Sequence, residues 1–260
     1  MNKEPWELDP TTRFDRRAAI YARYRPRYPE AAIDDVLEGL GDPAMLRVVD
    51  LGAGTGILTG LLADRGVRVL AIEPNAEMRA AAAERADIRW IDATAEATGL
   101  ASDSVDLVVA GQAWHWFEPH KACAEVARIL RPGGRLALVW YDDRPGCPVS
   151  GRYRQIVKPG AIETFGIHAV EQWTPTLSPP FDLEIHTKPI IHEYEYRLDA
   201  EGLIGRARSA SYVPHSGPDA DRLEHEMREL HSQRADEDGL VTLGLICVVH
   251  RFWAPDSSDE

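Results

Sequence analysis

Short apolar runs alternate with amphipathic segments along most of this chain. Leu46–Leu51, Val67–Ile72, Ile88–Ile91, Val105–Ala110 and Arg135–Trp140 are mostly apolar, as strands buried on both faces must be. Between them, Ile57–Asp64 and the alanine-rich Ala76–Ala86 read as helices, and a further helix puts Ala122, Val126, Ile129 and Leu130 on one face. Near-continuous apolar strands separated by helices predict a parallel sheet covered on both sides. Upstream, Thr12–Tyr24 fits a helix, and the prolines of RYRPRYPE interrupt it. Pro29 then opens a second helix, whose Ile33, Val36, Leu37 and Leu40 share a face until Gly41 stops it. After Asp142 the rhythm changes. Gly146–Pro180 is irregular and rich in Pro and Gly, and Leu183–Tyr196 alternates like one or two strands. Two helices follow, one aligning Leu223, Met227 and Leu230, before a last strand near Leu240–Phe252 and an acidic tail, APDSSDE.

Composition narrows the partners. A chain of 260 residues, 44% hydrophobic and 27% charged, suits one domain with a sizeable core. No apolar stretch reaches the ~18 residues of a membrane span, and MNKEPWELDP has no apolar signal region. A cytoplasmic protein is therefore expected. Cys123, Cys147 and Cys247 form no CxxC, and the histidines lack ligand spacing, so neither a disulfide framework nor a metal site is expected. A net charge of -13 repels phosphate backbones. The N-terminal arginines are interrupted by Asp15 and Glu30 and leave no basic stripe. Nucleic acid is disfavoured as a partner, although a locally basic mouth could still draw in an anionic small molecule.

The candidate chemistry starts at VVDLGAGTG, where Gly52, Gly54 and Gly56 fall at every second place after the first strand. A phosphate-cradling loop would need a Lys after its glycines, and none is there. A GxGxxG dinucleotide turn would need Gly at 57 or 59, which are Ile57 and Thr59. What remains is a tight reversal in which backbone approaches a ligand closely, with Asp50 before it. Glu73, at the end of the second strand, has the spacing to accept both hydroxyls of an adenosine ribose. His115, after the fourth strand, is either a packed scaffold residue or a base with a pKa class suited to neutrality. Tyr21 and Arg25 stand at i, i+4 on one helix face, where Tyr21 is a catalytic candidate. Arg25 could pair with a carboxylate.

VVDLGAGTG, AIEPNAEM, IDATAEATGLASDSVDLVVAGQAWHWF and LRPGGRLALVWYDD resemble the successive motifs of class I S-adenosylmethionine (SAM)-dependent methyltransferases. They are most similar to the small-molecule branch that includes trans-aconitate methyltransferase-like proteins. FDRRAAIYARYRPRYPE and RARSASYVP resemble that branch's N-terminal and C-terminal elements. The resemblance implies an α/β fold, a doubly wound, mainly parallel seven-stranded sheet of Rossmann-like type. An N-terminal helical lid (1–44), a SAM-binding core (45–142), an acceptor-side insert (143–182) and a C-terminal part completing the sheet (183–260) are expected. It also implies that Asp50, Gly52, Gly54 and Gly56 hold the methionyl part and ribose of SAM, and that Glu73 binds the ribose. Pro74 and Met78 would line the adenine, Thr94 and Ala95 would meet its edge, and Gln112 would sit beside the methionyl group. Arg25 would meet the carboxylate of SAM or of the acceptor. Trp114, Trp116, Tyr212 and His215 are the candidates for acceptor contacts. The loop after strand four reads Gly111-Gln112-Ala113-Trp114 instead of the Asn/Asp-Pro-Pro-aromatic of base-modifying relatives. The expected reaction is O-methylation of a carboxylate or hydroxyl on a small organic molecule, with carbon or nitrogen acceptors as alternatives. An NAD-dependent oxidoreductase and a SAM-binding protein without transfer activity are the rival readings.

Overall fold

The computed structural model describes residues 17–158, 188–210 and 212–254. Its strands are β1 (Arg47–Leu51), β2 (Arg68–Ile72), β3 (Ile88–Ile91), β4 (Val105–Gly111), β5 (Leu130–Asp143), β6 (Ile190–Leu198) and β7 (Val241–Trp253). They form one sheet in the order β3-β2-β1-β4-β5-β7-β6. The first five strands run parallel, and β7 lies antiparallel between β5 and β6. The helices are α1 (Ala18–Tyr24), α2 (Glu30–Leu37), α3 (Ile57–Ala63), α4 (Ala76–Ala80), α5 (Pro119–Ile129), α6 (Pro148–Val157), α7 (Ala200–Arg208) and α8 (Pro218–Arg234).

Successive strand side chains point to opposite faces, and both faces are covered, which is why these strands read as unbroken apolar runs. Val49, Leu51, Val108, Leu136 and Leu138 pack with Val126 and Ile129 of α5 on one side. Val48, Val69, Leu107 and Val109 pack with Ile33 and Val36 of α2 and Leu62 of α3 on the other. A third cluster joins Ile156 of α6, Leu203 of α7, Met227 of α8 and Leu243 of β7.

Local pattern misplaced some boundaries. α4 stops at Ala80 instead of Ala86 because only Met78 of it is buried, leaving no apolar face to carry it further. β5 begins at Leu130, ahead of the expected Arg135, and runs through the Arg-Pro-Gly-Gly stretch with a register shift against β4 that marks a bulge. The start of the expected irregular stretch folds as α6, opened by Pro148 and burying Tyr153 and Ile156. The expected helix portion at 12–16, most of the insert, residues 183–187 and the terminal tail lie outside the described residues.

Candidate active site

β1 sits between β2 and β4, so the chain leaves it in one direction and β4 continues in the other. Ligands of open α/β sheets bind at the carboxyl ends of strands where the order reverses in this way. The turn after β1 has φ of +64° at Gly52, +59° at Gly54 and +80° at Gly56, a region that favours glycine. At Gly52 space also forbids a side chain: a Cβ would stand 2.8 Å from Ala113 Cβ and 3.0 Å from Phe117. Gly56 itself opens α3.

Beside this turn lies a cavity of about 110 Å³. Its lining includes the glycine turn (Gly52, Gly54) and Glu73, the apolar Pro74, Met78 and Ala95, and Gln112, Trp116 and Tyr21. A smaller compartment of about 30 Å³ shares Tyr21, Gly52 and Gly54 and adds Asp50, Tyr28 and Tyr141.

Glu73 is 8% exposed. Its Oε2 accepts from the Gly54 N–H at 2.9 Å and its Oε1 from the Asn75 N–H at 2.9 Å. The carboxylate thus pins the glycine turn to the β2–α4 connection while lining the cavity. Burial raises its pKa, and the two backbone donors oppose that rise. Asp50, at the end of β1, accepts from Thr59 Oγ1 at 2.6 Å through Oδ2, whereas its buried Oδ1 has no hydrogen-bond partner. Gln112 adopts φ +54°, a strained region for a residue with a Cβ. It is held there by its N–H to Val139 O (3.0 Å) and its Nε2 to Tyr141 O (2.5 Å).

α1 lies over this site and is fastened to α7. Arg17 donates to the carbonyls of Arg208, Ala210 and Val213 at and beyond the α7 C-terminus, satisfying groups that helix geometry leaves open. Tyr24 packs on Gly205, where a Cβ would meet its ring at 2.3 Å. Arg25 stacks over Tyr21, 4.6 Å from the ring centroid, and donates to Tyr141 Oη (2.9 Å) and Ser209 O (3.2 Å). Arg206 and Arg154 are paired with Asp143, and Arg154 also with Asp142. Arg25 has no carboxylate partner among the described residues.

Four expectations need correction. Trp114 is 2% exposed and packs edge-on against Phe117 in the core, so it cannot line an acceptor pocket. Thr94 is engaged in a bridge with Ala97, and Glu96 takes a place in the cavity wall instead. Tyr212 and His215 are exposed and line neither compartment, although Tyr212 lies beside Lys158, 5.8 Å from its ring centroid. His115 packs between Trp116 and Trp140, with ring centroids 4.7 and 5.3 Å away. Burial and the Arg25 charge push its pKa down to about 3, far below what a base working at neutrality requires.

A model of the methyltransferase domain family matches residues 49–138, from β1 into β5. An uncharacterized methyltransferase of Mycobacterium tuberculosis is 41% identical over 190 residues, 66% of this chain and 74% of that protein. The chain belongs to the class I SAM-dependent methyltransferases. A structure described as a type II methyltransferase, from Anaeromyxobacter dehalogenans, superposes on this methyltransferase with a TM-score of 0.60 at 25% identity. It covers 89% of this chain and 98% of that one. A phosphoethanolamine N-methyltransferase from Haemonchus contortus, solved with S-adenosylhomocysteine (SAH) and phosphomonomethylethanolamine, shares the fold at a TM-score of 0.51 and 13% identity. There the match covers 95% of this chain and 60% of that one.

Reading the sequence missed Tyr28, Tyr141, Glu96 and Phe117, all of which line this methyltransferase's compartments. Tyr141 carried a usable signal, since it ends the apolar run of β5 at the ligand-binding edge of the sheet. Tyr28 carried one only through the resemblance of YRPRYPE: it arrives from a proline-broken connection whose path is set by packing.

Proposed function

We propose that this methyltransferase binds SAM along the two joined compartments and transfers its methyl group to an oxygen of a small organic acceptor. The observation that carries this reading is the continuous wall from Glu73 through Gly54 and Gly52 to Asp50. Its glycine turn cannot admit a Cβ at Gly52, and it ends on a buried carboxylate oxygen lacking a partner. These features fit a nucleoside at the Glu73 end and an amino acid moiety at the Asp50 end. Pro74, Met78 and Ala95 then flank the base, with Gln112 beside the sulfonium. Bound SAM supplies an activated methyl group. The chain has to align the acceptor and exclude water.

The two side chains first considered as bases, His115 and Tyr21, are poor ones. His115 is neutral down to about pH 3, and the buried Tyr21 phenol is pushed up to about 12 by burial. A carboxylate acceptor needs neither, because it is ionised already, and Arg25 offers it or the methionyl carboxylate a cation. A hydroxyl acceptor would need a proton taken up elsewhere. The test is release of SAH from SAM across a panel of small carboxylic acids, phenols, alcohols and amines. Turnover with carboxylic acids is expected, and turnover confined to amines would refute the oxygen assignment. Tight SAH binding without turnover on any class would favour a SAM-binding protein that no longer transfers methyl.

A further inference from the structure

Asp50 is 1% exposed at the end of β1. Thr59, from α3, donates to one of its oxygens. The other, Oδ1, has no partner and belongs to a residue that lines the smaller compartment. The groups facing it come from every side. α1 contributes Tyr21, the segment before α2 contributes Tyr28, Glu73 follows β2, and β5 contributes Tyr141. None of them compensates a charge on Asp50. Arg25 is turned onto Tyr141 Oη and Ser209 O. Burial keeps the phenols of Tyr21 and Tyr28 protonated far above neutrality. Glu73 adds a second negative charge.

Resting on the SAM reading above, we propose that binding of the cofactor is coupled to loss of a proton from Asp50. In the free protein the buried, cation-free carboxyl favours its neutral form. A ligand ammonium brought to Oδ1 reverses that preference, because opposite charges attract strongly in a water-poor site. The step balances as a carboxylic acid and an ammonium ligand giving a carboxylate–ammonium pair and one proton released to solvent. Burial, with the Glu73 charge beside it, sets the free carboxyl at about 7 despite the Thr59 hydrogen bonds. The exchange therefore falls in the physiological range.

The experiment is calorimetric titration of the full chain with SAH at several pH values, each in buffers of different ionisation enthalpy. With Asp50 at about 7, about 0.9 proton should be released at pH 6 and about 0.5 at pH 7. The SAH dissociation constant should be about tenfold weaker at pH 6 than at pH 8. The ligand's amino group is that of a free amino acid and stays protonated over this range, so it adds little to the proton count, and any uptake it makes on pairing carries the opposite sign. Thr59→Val removes a donor that favours the ionised form, so the midpoint of release should move to higher pH. Asp50→Asn should abolish the release. SAH binding with no proton release between pH 6 and 7.5 overturns the inference alone, as does release that persists unchanged in Asp50→Asn, which would assign the proton to Glu73. Failure of SAH to bind at any pH overturns the cofactor reading and this inference with it.

Discussion

Gly205→Ala tests whether α1 is a working part of the site, from a position that touches no ligand. A Cβ there would stand 2.3 to 2.5 Å from three atoms of the Tyr24 ring, against the ~3.5 Å at which carbon atoms rest. Tyr24 and the helix that carries it must retreat by about 1 Å. Replacing Gly by Ala inside α7 gains about 0.8–1 kcal/mol of helix propensity, while overpacking costs about 1–3 kcal/mol. The two nearly offset, so the melting temperature should fall by only a few degrees, at about 2–4 °C per kcal/mol for a chain of this size. The functional effect should be larger. α1 carries Tyr21, which lines both compartments, and Arg25 at its C-cap, held by Tyr141 and Ser209. Loss of one such charge-assisted hydrogen bond is worth about 1.5–3 kcal/mol, about ten- to 150-fold in an equilibrium constant. SAH affinity by calorimetry and methyl transfer should thus drop tenfold or more, with the melt followed in parallel. Adding Tyr24→Ala should be non-additive, because it removes the atoms in conflict. A Gly205→Ala protein that keeps its fold, its SAH affinity and its turnover would refute a lid role for α1.

Other consequences concern single side chains. Glu73→Ala strips the acceptors from the Gly54 and Asn75 N–H groups and should weaken SAH binding by about 1.5–3 kcal/mol or more, read by calorimetry; an unchanged dissociation constant would place the ribose elsewhere. Arg25→Ala should cut turnover far more than it lowers the melting temperature, and equal turnover on the true acceptor would remove Arg25 from the site. His115, with its folded pKa lowered to about 3, stays neutral while the unfolded chain takes up a proton near 6.5. Its contribution to stability is therefore present above about 6.5 and falls as pH drops toward 3, by up to about 1.4 kcal/mol per unit. His115→Asn should flatten that acid-side slope in thermal melts, and a rate inflection near neutrality that vanishes in His115→Asn would contradict the buried, neutral assignment.

Local pattern carried far in the first half of the chain. Strands covered on both faces must be apolar at consecutive positions, so β1 to β4 were legible within a residue or two. A turn with φ of +59° to +80° at three positions tolerates little but glycine, so the glycine turn that lines the cavity was legible as well. Asp50 and Glu73 followed from it by spacing along the sheet edge. Trp114 and Trp116 show the limit. Two residues apart in WHWF, one is buried in the core and the other faces the cavity, a division that depends on how the short turn after β4 settles against α5.

What the sequence by itself determined, then, is the alternation that makes a parallel sheet and the glycine–carboxylate pair at the carboxyl end of its strands, because both arise from backbone geometry and side-chain period within a few residues. Only the tertiary structure decided that β7 inserts between β5 and β6, since strand order depends on pairings about a hundred residues apart. It also decided that Arg25 meets Tyr141 across 116 residues while Arg154 and Arg206 are spent on Asp142 and Asp143. Which cation stays free of a carboxylate, and which carboxylate oxygen stays without a partner, depends on everything packed around it, and no local spacing encodes that.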